Sequence, residues 1–296
     1  MAVISRPYAG EEDYARMRRL LVDIYAIGGP PVYCTVGDLD WWRFADDDPA
    51  AVTQTQLWLD DPGELIGFVW PGDDQVDMMV HPRHRAIEEE MLAWAEQRSR
   101  AAGPSESAKL RAWSFTRDDV RNRLLQQRGY ERSDTFFSYR GFDLDQPFVE
   151  PRLPPGYAVR NVQGEADVEQ RVAVHRDAFA PSRMTVAKHQ AVMRAPTYRP
   201  ELDLVVVAPD GSFAAFCIVW FDEANRIGVF EPVGCHSAHR RRGLGTAVLR
   251  EGMRRLKALG AHTAEVNGLG GESGGTLLYE ATGFRELDRN YRWEKA

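Results

Sequence analysis

The strongest constraint on the fold is an internal repeat, because three segments of the first half match three of the second half in the same order. The offset is about 154 residues. The matched pairs are "AGEEDYARMRRLLVDIY" (9–25) with "QGEADVEQRVAVHRDAF" (163–179), "VDMMVHPRHR" (76–85) with "EPVGCHSAHR" (231–240), and "LLQQRGYERSD" (124–134) with "LLYEATGFRELD" (277–288). We therefore predict two tandem domains of one fold, at 1–145 and 155–296, with a proline-rich linker near 146–154.

The second copy shows its order of elements clearly. "LDLVVVA", the turn "PDG" and "FAAFCIVWF" predict a β-hairpin, and "RIGVFEPVGC" predicts a third strand. A helix over about 243–259 follows and ends at Gly260. One face of this helix carries the apolar residues Val248, Leu249, Met253, Leu256 and Leu259. "HTAEVN", "GGTLLYEAT" and "FRELDRNYRWEK" then predict a strand, a helix and a strand.

These connections also predict the fold class. Tight turns make neighbouring strands antiparallel, and a strand–helix–strand crossover makes one parallel pair. The predicted class is α/β, in the α+β sense: each domain has a mixed, mostly antiparallel sheet flanked by helices.

Composition and charge exclude some classes of function. The formal net charge is −7, so general affinity for nucleic acid is not expected. No window approaches the roughly 18 apolar residues of a membrane span, and the start lacks the apolar stretch of a secretory signal. The cysteines (Cys34, Cys217 and Cys235) are far apart and form no CxxC, so we expect no disulfide, no metal site and a cytoplasmic protein.

Three arginines stand directly before the predicted helix, in "HRRRGLG" (239–245). A helix N-terminus carries partial positive charge, so a cation there costs about 0.3–1 kcal/mol. The turn also offers free backbone N–H groups, and Gly243 and Gly245 let this backbone approach a ligand closely. We therefore predict that the turn binds a phosphate or pyrophosphate, beside which the arginines become favourable. The alternative is a solvated basic patch paired with surface carboxylates.

Two other phosphate-binding patterns fail. The P-loop pattern GxxxxGK[ST] is absent. The dinucleotide pattern GxGxxG needs a third small residue, but Val248 stands there when the pattern begins at Gly243, and Ser273 when it begins at Gly268. A dinucleotide site is the weaker alternative.

The turn resembles a known signature. Arg240-x-x-Gly243-x-Gly245 matches the [QR]-x-x-G-x-[GA] signature of the GNAT superfamily of acyl-CoA-dependent N-acetyltransferases, and "LLYEATGF" (277–284) resembles the later "LY…GF" motif of that family. The resemblance covers about 160–296, and the first half matches as a degenerate copy. Such a tandem arrangement with one working half resembles enzymes of the mycothiol-synthase type.

The resemblance implies an activity. It implies acetyl transfer from acetyl-CoA, a co-substrate, to a primary amine of a small molecule by direct attack in the second domain, without a metal. Its binding residues on this chain are Val233, Gly234 and Cys235 for the pantetheine arm and Arg240, Arg241, Arg242, Gly243, Leu244, Gly245 and Thr246 for the pyrophosphate. A backbone N–H of Val233 or Cys235 would polarise the thioester carbonyl. The rival function is a catalytically inactive acyl-CoA sensor or scaffold.

The resemblance also implies two catalytic residues. Tyr279 matches the tyrosine of the LY motif and would protonate the departing thiolate, the alternative being a core tyrosine. Glu231, on the strand that leads to the cofactor, is the candidate base that takes the proton of the amine. Alternatively, Glu231 is a solvated strand residue. Asp222 or Glu223 could then act as the base through a water molecule.

Other residues near the proposed site have a weaker case for a function. The family often has asparagine seven residues before its tyrosine, where this chain has Glu272. His236 and His239 beside the loop are expected to be merely exposed. Cys235 has no evident base partner, so we expect its backbone rather than its thiol to matter.

The first copy has lost the features of the proposed site. Glu88, Glu89 and Glu90 replace the glycine turn, Val76 stands at the place of Glu231 and Leu125 at that of Tyr279. We expect residues 1–145 to bind no CoA and to support the second half or shape its acceptor site. The stretch "DLDWWRFADDDP" (38–49) is typical of core aromatics with a charged turn, and the alternative is the lining of a cleft for a cationic amine.

Overall fold

The computed structural model describes residues 3–46, 48, 50–70, 72, 74–102, 109–271 and 274–295. The strands are β1 (Ile4–Pro7), β2 (Gln56–Leu59), β3 (Leu65–Trp70), β4 (Gln75–Val80), β5 (Leu110–Phe115), β6 (Glu131–Asp143), β7 (Ala158–Asn161), β8 (Asp203–Val207), β9 (Phe213–Asp222), β10 (Ile227–Cys235), β11 (Thr263–Leu269) and β12 (Arg285–Lys295). The helices are α1 (Glu11–Gly28), α2 (Val36–Ala45), α3 (Glu88–Ala102), α4 (Asp119–Gln127), α5 (Val168–Ala178), α6 (Val186–Val192), α7 (Leu244–Ala258) and α8 (Gly274–Thr282).

The chain forms two compact units, each made of separate stretches. The first unit comprises Met1–Thr35, Asp48–Tyr139 and Leu287–Ala296, and the second comprises Val36–Asp47 and Arg140–Glu286. The predicted bounds 1–145 and 155–296 follow the chain, whereas the contacts assign α2 to the second unit and most of β12 to the first. The last strand joins the first unit because it pairs antiparallel with β5 over 290–295.

The two units repeat one strand pattern. In the second unit, β7, β8, β9 and β10 are consecutive antiparallel neighbours, and β11 then pairs parallel with β10. In the first unit, β1 to β4 are likewise antiparallel neighbours, and β5 pairs parallel with β4. The predicted fold class, two tandem domains with mixed and mostly antiparallel sheets flanked by helices, is confirmed.

One ion pair recurs at the same place in both units. Arg6 donates to Asp13 at 2.6 and 2.7 Å, and the backbone N–H of Ala9 donates to the same carboxylate at 2.8 Å. In the second unit Arg160 pairs with Asp167, which also accepts from the N–H of residue 163 at 2.7 Å. All three positions keep the offset of the repeat, so the duplication extends to side-chain chemistry.

The long helix α7 packs its apolar face on the second sheet. Val248, Leu249, Met253 and Leu256 are fully buried in one core cluster with strand residues. Leu259, expected on the same face, is instead 39% exposed, because the helix ends at Ala258 and Leu259 is its C-terminal cap. Gly260 follows with φ 88°, so the helix ends where the glycine predicted it.

The close approach of α7 to β10 gives a stability prediction. A Cβ on Gly228 would lie 2.2 Å from Cδ1 and 2.8 Å from Cγ of Leu256, which is fully buried. We expect Gly228→Ala to lower the free energy of unfolding by about 1–3 kcal/mol, measured by urea denaturation. Gly28→Ala is the control, since its Cβ would meet only Pro82 at 3.9 Å. Equal stabilities of the two variants would contradict this packing.

Candidate functional site

Strand β10 separates from β11 partway along its length. The parallel pairing of described residues joins 227–229 with 263–265. Beyond it, the pairing of β10 with β9 shifts register between Phe230 and Val233, where Pro232 has no N–H to donate. The two parallel strands therefore part where the sequence places Glu231 and Pro232, and the edge of β10 towards β11 is left open over the following residues.

The open edge of β10 presents backbone donors. The N–H of His236 donates to the carbonyl of Ala214 across the β9 pairing at 2.9 Å. Hydrogen-bonded pairs alternate along an antiparallel ladder, so His236 and Gly234 face β9. The N–H groups of Val233 and Cys235 consequently point away from β9, to the edge where β11 has departed.

The turn before α7 exposes further N–H groups. Gly243 caps the helix with φ 76°, and Arg241 also has a positive φ of 63°. The first hydrogen bond of the helix runs from the N–H of Ala247 to the carbonyl of Gly243. The N–H groups of 244–246 precede it and therefore have no carbonyl partner within the helix. A Cβ added at Gly243 would meet nothing within 4 Å, so this backbone faces open space.

These two features border one cleft of about 550 Å³. Its walls come from the end of α5, the open edge of β10, the start of α7 and one face of α8. The lining residues are Ala178, Phe179, Val233, Gly234, Cys235, Arg240, Arg241, Gly243, Leu244, Gly245, Thr246, Gly274, Gly275, Leu277, Leu278 and Tyr279. The cleft therefore brings together all but one of the residues predicted to bind the co-substrate.

The exception is Arg242. Arg240 lies along the cleft and donates to the carbonyls of Cys235 and Ala178 at 3.4 and 3.3 Å. Arg242 points elsewhere and donates to the hydroxyl of Tyr157 at 3.1 Å. Its role in binding stays a prediction, but its guanidinium lies outside the lining of the cleft.

Two glycines of the cleft are required by packing. A Cβ on Gly234 would lie 2.5 Å from the ring of Phe216 and 2.9 Å from Ala178. A Cβ on Gly245 would lie 3.0 Å from Leu278 of α8. These glycines bring β10 and α7 close to their neighbours, and this closeness sets the width of the cleft.

Tyr279 projects from α8 into the cleft. Its ring packs on Phe284, with centroids 6.0 Å apart, and the residue is 8% exposed. Burial, followed by the negative charge of Glu231, raises the pKa of Tyr279 to about 12. The phenol therefore keeps its proton at neutral pH, as the transfer of a proton to a leaving group requires.

Glu231 is hydrogen-bonded to a second acid that the sequence did not connect with it. Burial, then the charge of Asp38 and the hydrogen bond to it, raise the pKa of Glu231 well above its usual value. Asp38 lies on α2, inside the stretch 38–49, and is 6% exposed. The aromatic residues of that stretch were expected in the core, but Trp41 is only partly buried and packs against a core cluster, with its ring centroid 6.4 Å from that of Trp220.

The alternative bases have structural partners. Asp222 accepts from the backbone of the β9–β10 turn, and Glu223 pairs with Arg199. His239 lies beside Tyr157, with 3.0 Å between the ring Nδ1 and the hydroxyl. Burial raises the pKa of the Cys235 thiol, which does not favour a nucleophile. Glu272 lies outside the described residues.

The first unit places a carboxylate where the second has its open turn. Glu88, which aligns with Gly243, begins α3 and is 1% exposed. Arg85, which aligns with Arg240, donates to Glu88 and, at 2.7 Å, to Asp118. Arg121 donates to Glu88 at 3.2 Å. The arginine that would face a phosphate is thus occupied by carboxylates of its own unit.

The other two replaced positions of the first unit belong to its core. Val76 is 2% exposed and Leu125 is fully buried. The first unit also has a cavity of about 390 Å³, lined by apolar residues of α1 and β4 and by Arg85, Asp118 and Arg121.

Neither a metal site nor a membrane-spanning helix is present among the residues that the structure describes. They contain no group of three or more histidine, cysteine, aspartate or glutamate side chains placed to hold a metal ion. None of the helices in this part of the chain has the length and apolar character needed to cross a bilayer.

Known proteins that are similar to this chain include acetyltransferases of the family that the turn and the cleft indicate. Residues 172–284 match the model of the Acetyltransferase (GNAT) family. The chain is 28% identical over 254 residues to the mycothiol acetyltransferase of Streptomyces coelicolor, covering 79% of this chain and 78% of that protein. The tandem GNAT protein from the clavulanic acid biosynthesis pathway matches with a TM-score of 0.73 at 20% identity, covering 99% of this chain and 98% of that one. A GCN5-related N-acetyltransferase from Sphaerobacter thermophilus matches with a TM-score of 0.69 at 20% identity, covering 99% and 95%.

The split strands, the glycine turn and the family match define an acetyltransferase domain of the GNAT type. Residues 172–284 thus carry a domain of the GNAT acetyltransferase family, which supports an N-acetyltransferase, and the whole chain shares the fold of a tandem GNAT protein. GNAT enzymes use acetyl-CoA as co-substrate.

Proposed function

We propose that the second unit transfers the acetyl group of acetyl-CoA to a primary amine of a small molecule, by direct attack of the amine on the thioester. The observation that carries this proposal is the cleft between the open edge of β10 and the start of α7. It joins a row of free strand N–H groups to a helix N-terminus flanked by arginines. A ligand with an extended arm that ends in a diphosphate suits this arrangement, because the arm can pair with the strand edge and the negative diphosphate can bind the positive turn.

The chain offers separate groups for each part of acetyl-CoA. The diphosphate would lie on the N–H groups of 243–246, with the guanidinium groups of Arg240 and Arg241 beside it. The pantetheine arm would pair with the exposed edge of 233–235 as an added strand. The N–H of Val233 or Cys235 would then donate to the thioester oxygen, which becomes negative during the attack.

Two side chains would move protons. The acceptor arrives as an ammonium ion at neutral pH and must lose a proton before its nitrogen can attack, so Glu231 serves as the base. Its raised pKa makes it a better proton acceptor than an ordinary carboxylate once it is ionised. The C–S bond then breaks, and Tyr279 gives its proton to the thiolate.

We further propose that the first unit does not bind acetyl-CoA. A bound diphosphate needs unpaired donors, whereas Arg85 and Arg121 are already paired with Glu88. The buried Glu88 carboxylate would repel a second anion in the same place. Binding of one acetyl-CoA per chain in isothermal titration agrees with this proposal, and two sites of similar affinity would contradict it.

The acceptor is tested by thiol release from acetyl-CoA with a panel of primary amines. The panel includes the acceptor used by the mycothiol acetyltransferases, because the Streptomyces coelicolor enzyme aligns over 78% of its length. We expect turnover with at least one primary amine and none with matched alcohols. Tight binding of acetyl-CoA without thiol release on any amine would contradict the proposal and favour an acyl-CoA sensor.

A further inference from the structure

Helix α2 brings an acid from the first half of the sequence to the base of the second unit. Gly37 lies against Trp220 so closely that a Cβ would stand 2.3 Å from Cβ and 2.6 Å from Cγ of the indole residue. This approach sets the depth of the next residue, Asp38, which is buried and hydrogen-bonded to Glu231. Trp220 also donates from Nε1 to the backbone carbonyl of Glu231 at 2.6 Å. Both ends of the acid pair are therefore fixed by one indole.

Groups on three elements contact Glu231 or receive its charge, and a fourth element, α5, packs on β10. Asp38 lies on α2 and Trp220 on β9, and the charge of Glu231 acts on Tyr279 of α8. On α5, burial, followed by the positive charge of Arg171, lowers the pKa of His175 to about 4, so this imidazole is neutral at pH 7. The charge that acts on Glu231 is that of Asp38.

Arg171, the imidazole of His189 and the other acid of α2 have partners of their own. Arg171 donates from Nε to Asp203 at 3.0 Å, and His189 lies 3.4 Å from the same carboxylate. Asp40 accepts from the backbone N–H of Thr197 at 2.8 Å. These groups are thus engaged elsewhere, and Asp38 is the carboxyl group that acts on Glu231.

Resting on the proposed acetyl transfer, we infer that Asp38 is a positioning residue of the reaction. It shares one proton with Glu231, and the two carboxyl groups together, rather than Glu231 alone, receive the proton of the acceptor ammonium. Asp38 is buried and Glu231 is half-buried, and two carboxylates in contact there cannot both ionise without a large cost, so one proton stays between them. Loss of that proton leaves a doubly charged pair, which is a strong base for an ammonium ion.

The protons balance through the pair. The ionised pair takes one proton from the ammonium nitrogen, which leaves a neutral amine and a pair that holds one proton. As the C–N bond forms and the C–S bond breaks, Tyr279 gives its proton to the thiolate. The second proton of the nitrogen returns to the Tyr279 phenolate, and the pair releases its proton to solvent. The sum is one amide, one thiol and one released proton.

The test is the dependence of log kcat/KM on pH for Asp38→Asn. The amide keeps the size of the side chain but carries no charge, so Glu231 ionises more easily. We expect the midpoint of the acid limb to move to lower pH by about one unit, and the plateau to fall about 10-fold because the base is weaker. Asp38→Glu, which keeps a carboxylate, should restore the midpoint. Asp40→Asn on the same helix is the matched control and should not shift it.

The outcomes separate this inference from the proposed function. A wild-type enzyme with no thiol release would remove the proposed function itself. An active wild type whose acid limb keeps its midpoint in Asp38→Asn would overturn the role of Asp38 only. If Asp38→Asn does not fold, infrared spectroscopy of the wild-type chain at pH 7 decides. We expect a band of a protonated carboxyl group that Glu231→Gln removes, and absence of such a band overturns the shared proton.

Discussion

Replacing Tyr279 by phenylalanine is expected to lower kcat by about 10²- to 10⁴-fold, the usual contribution of a positioned acid. The ring and its packing on Phe284 are kept, so only the hydroxyl is lost. The affinity for acetyl-CoA should therefore change little. Because the pKa of Tyr279 is raised to about 12, the wild-type enzyme should keep this proton, and show no loss of rate from its ionisation, up to about pH 10. Steady-state kinetics of thiol release from pH 6 to 10 measures both effects.

The control for this substitution is Tyr291→Phe in β12, which removes a hydroxyl from the first unit. It should keep kcat within about twofold of the wild-type value. A kcat for Tyr279→Phe within the same limits would show that another group, or water, protonates the sulfur.

Reversing the charge of Arg241 is expected to weaken acetyl-CoA binding by about 10- to 100-fold, as for a lost hydrogen bond to a charged group. Arg241 is exposed and lines the cleft with a φ of 63°. An Arg241→Glu variant places a carboxylate where the diphosphate is proposed to lie, while the fold needs no contact from this side chain. Isothermal titration with acetyl-CoA measures the change.

Arg242→Glu makes the same change of charge one residue further on. The guanidinium of Arg242 donates to Tyr157 outside the cleft, and water screens its charge from a ligand in the cleft. We therefore expect the affinity for acetyl-CoA to fall by less than about threefold. Equal losses in the two variants would show that the field of the whole cluster matters rather than the position of Arg241. Such a result would support the prediction that all three arginines bind the co-substrate.

The order of elements in the second unit could be predicted because its signals are local. Turn residues separate β8 from β9, Gly260 ends α7, and the apolar spacing of that helix has a period that needs no knowledge of distant residues. Leu259 was misassigned because the spacing alone does not show where the last turn ends. The two copies share few identical residues, yet the repeat correctly indicated a duplicated fold. Both copies even keep the same arginine–aspartate ion pair.

The acid pair could not be predicted because it depends on an exchange of segments between the halves. Asp38 and Glu231 are far apart in the sequence, and nothing local indicates that α2 packs in the second unit. The available signal was the concentration of acids among tryptophans at 38–49, together with Gly37, whose missing side chain admits Trp220. The same stretch equally fits a core helix with a charged turn, so the sequence alone could not single out Asp38.

The central claim is that the start of α7 holds the diphosphate of acetyl-CoA, and a crystal structure of the whole chain with acetyl-CoA tests it most directly. We predict diphosphate oxygens at about 2.7–3.2 Å from the backbone nitrogens of 243–246, with the pantetheine arm along 233–235. The first unit should hold no second molecule. A diphosphate bound away from the α7 turn, or in the cavity beside Arg85, would contradict this account.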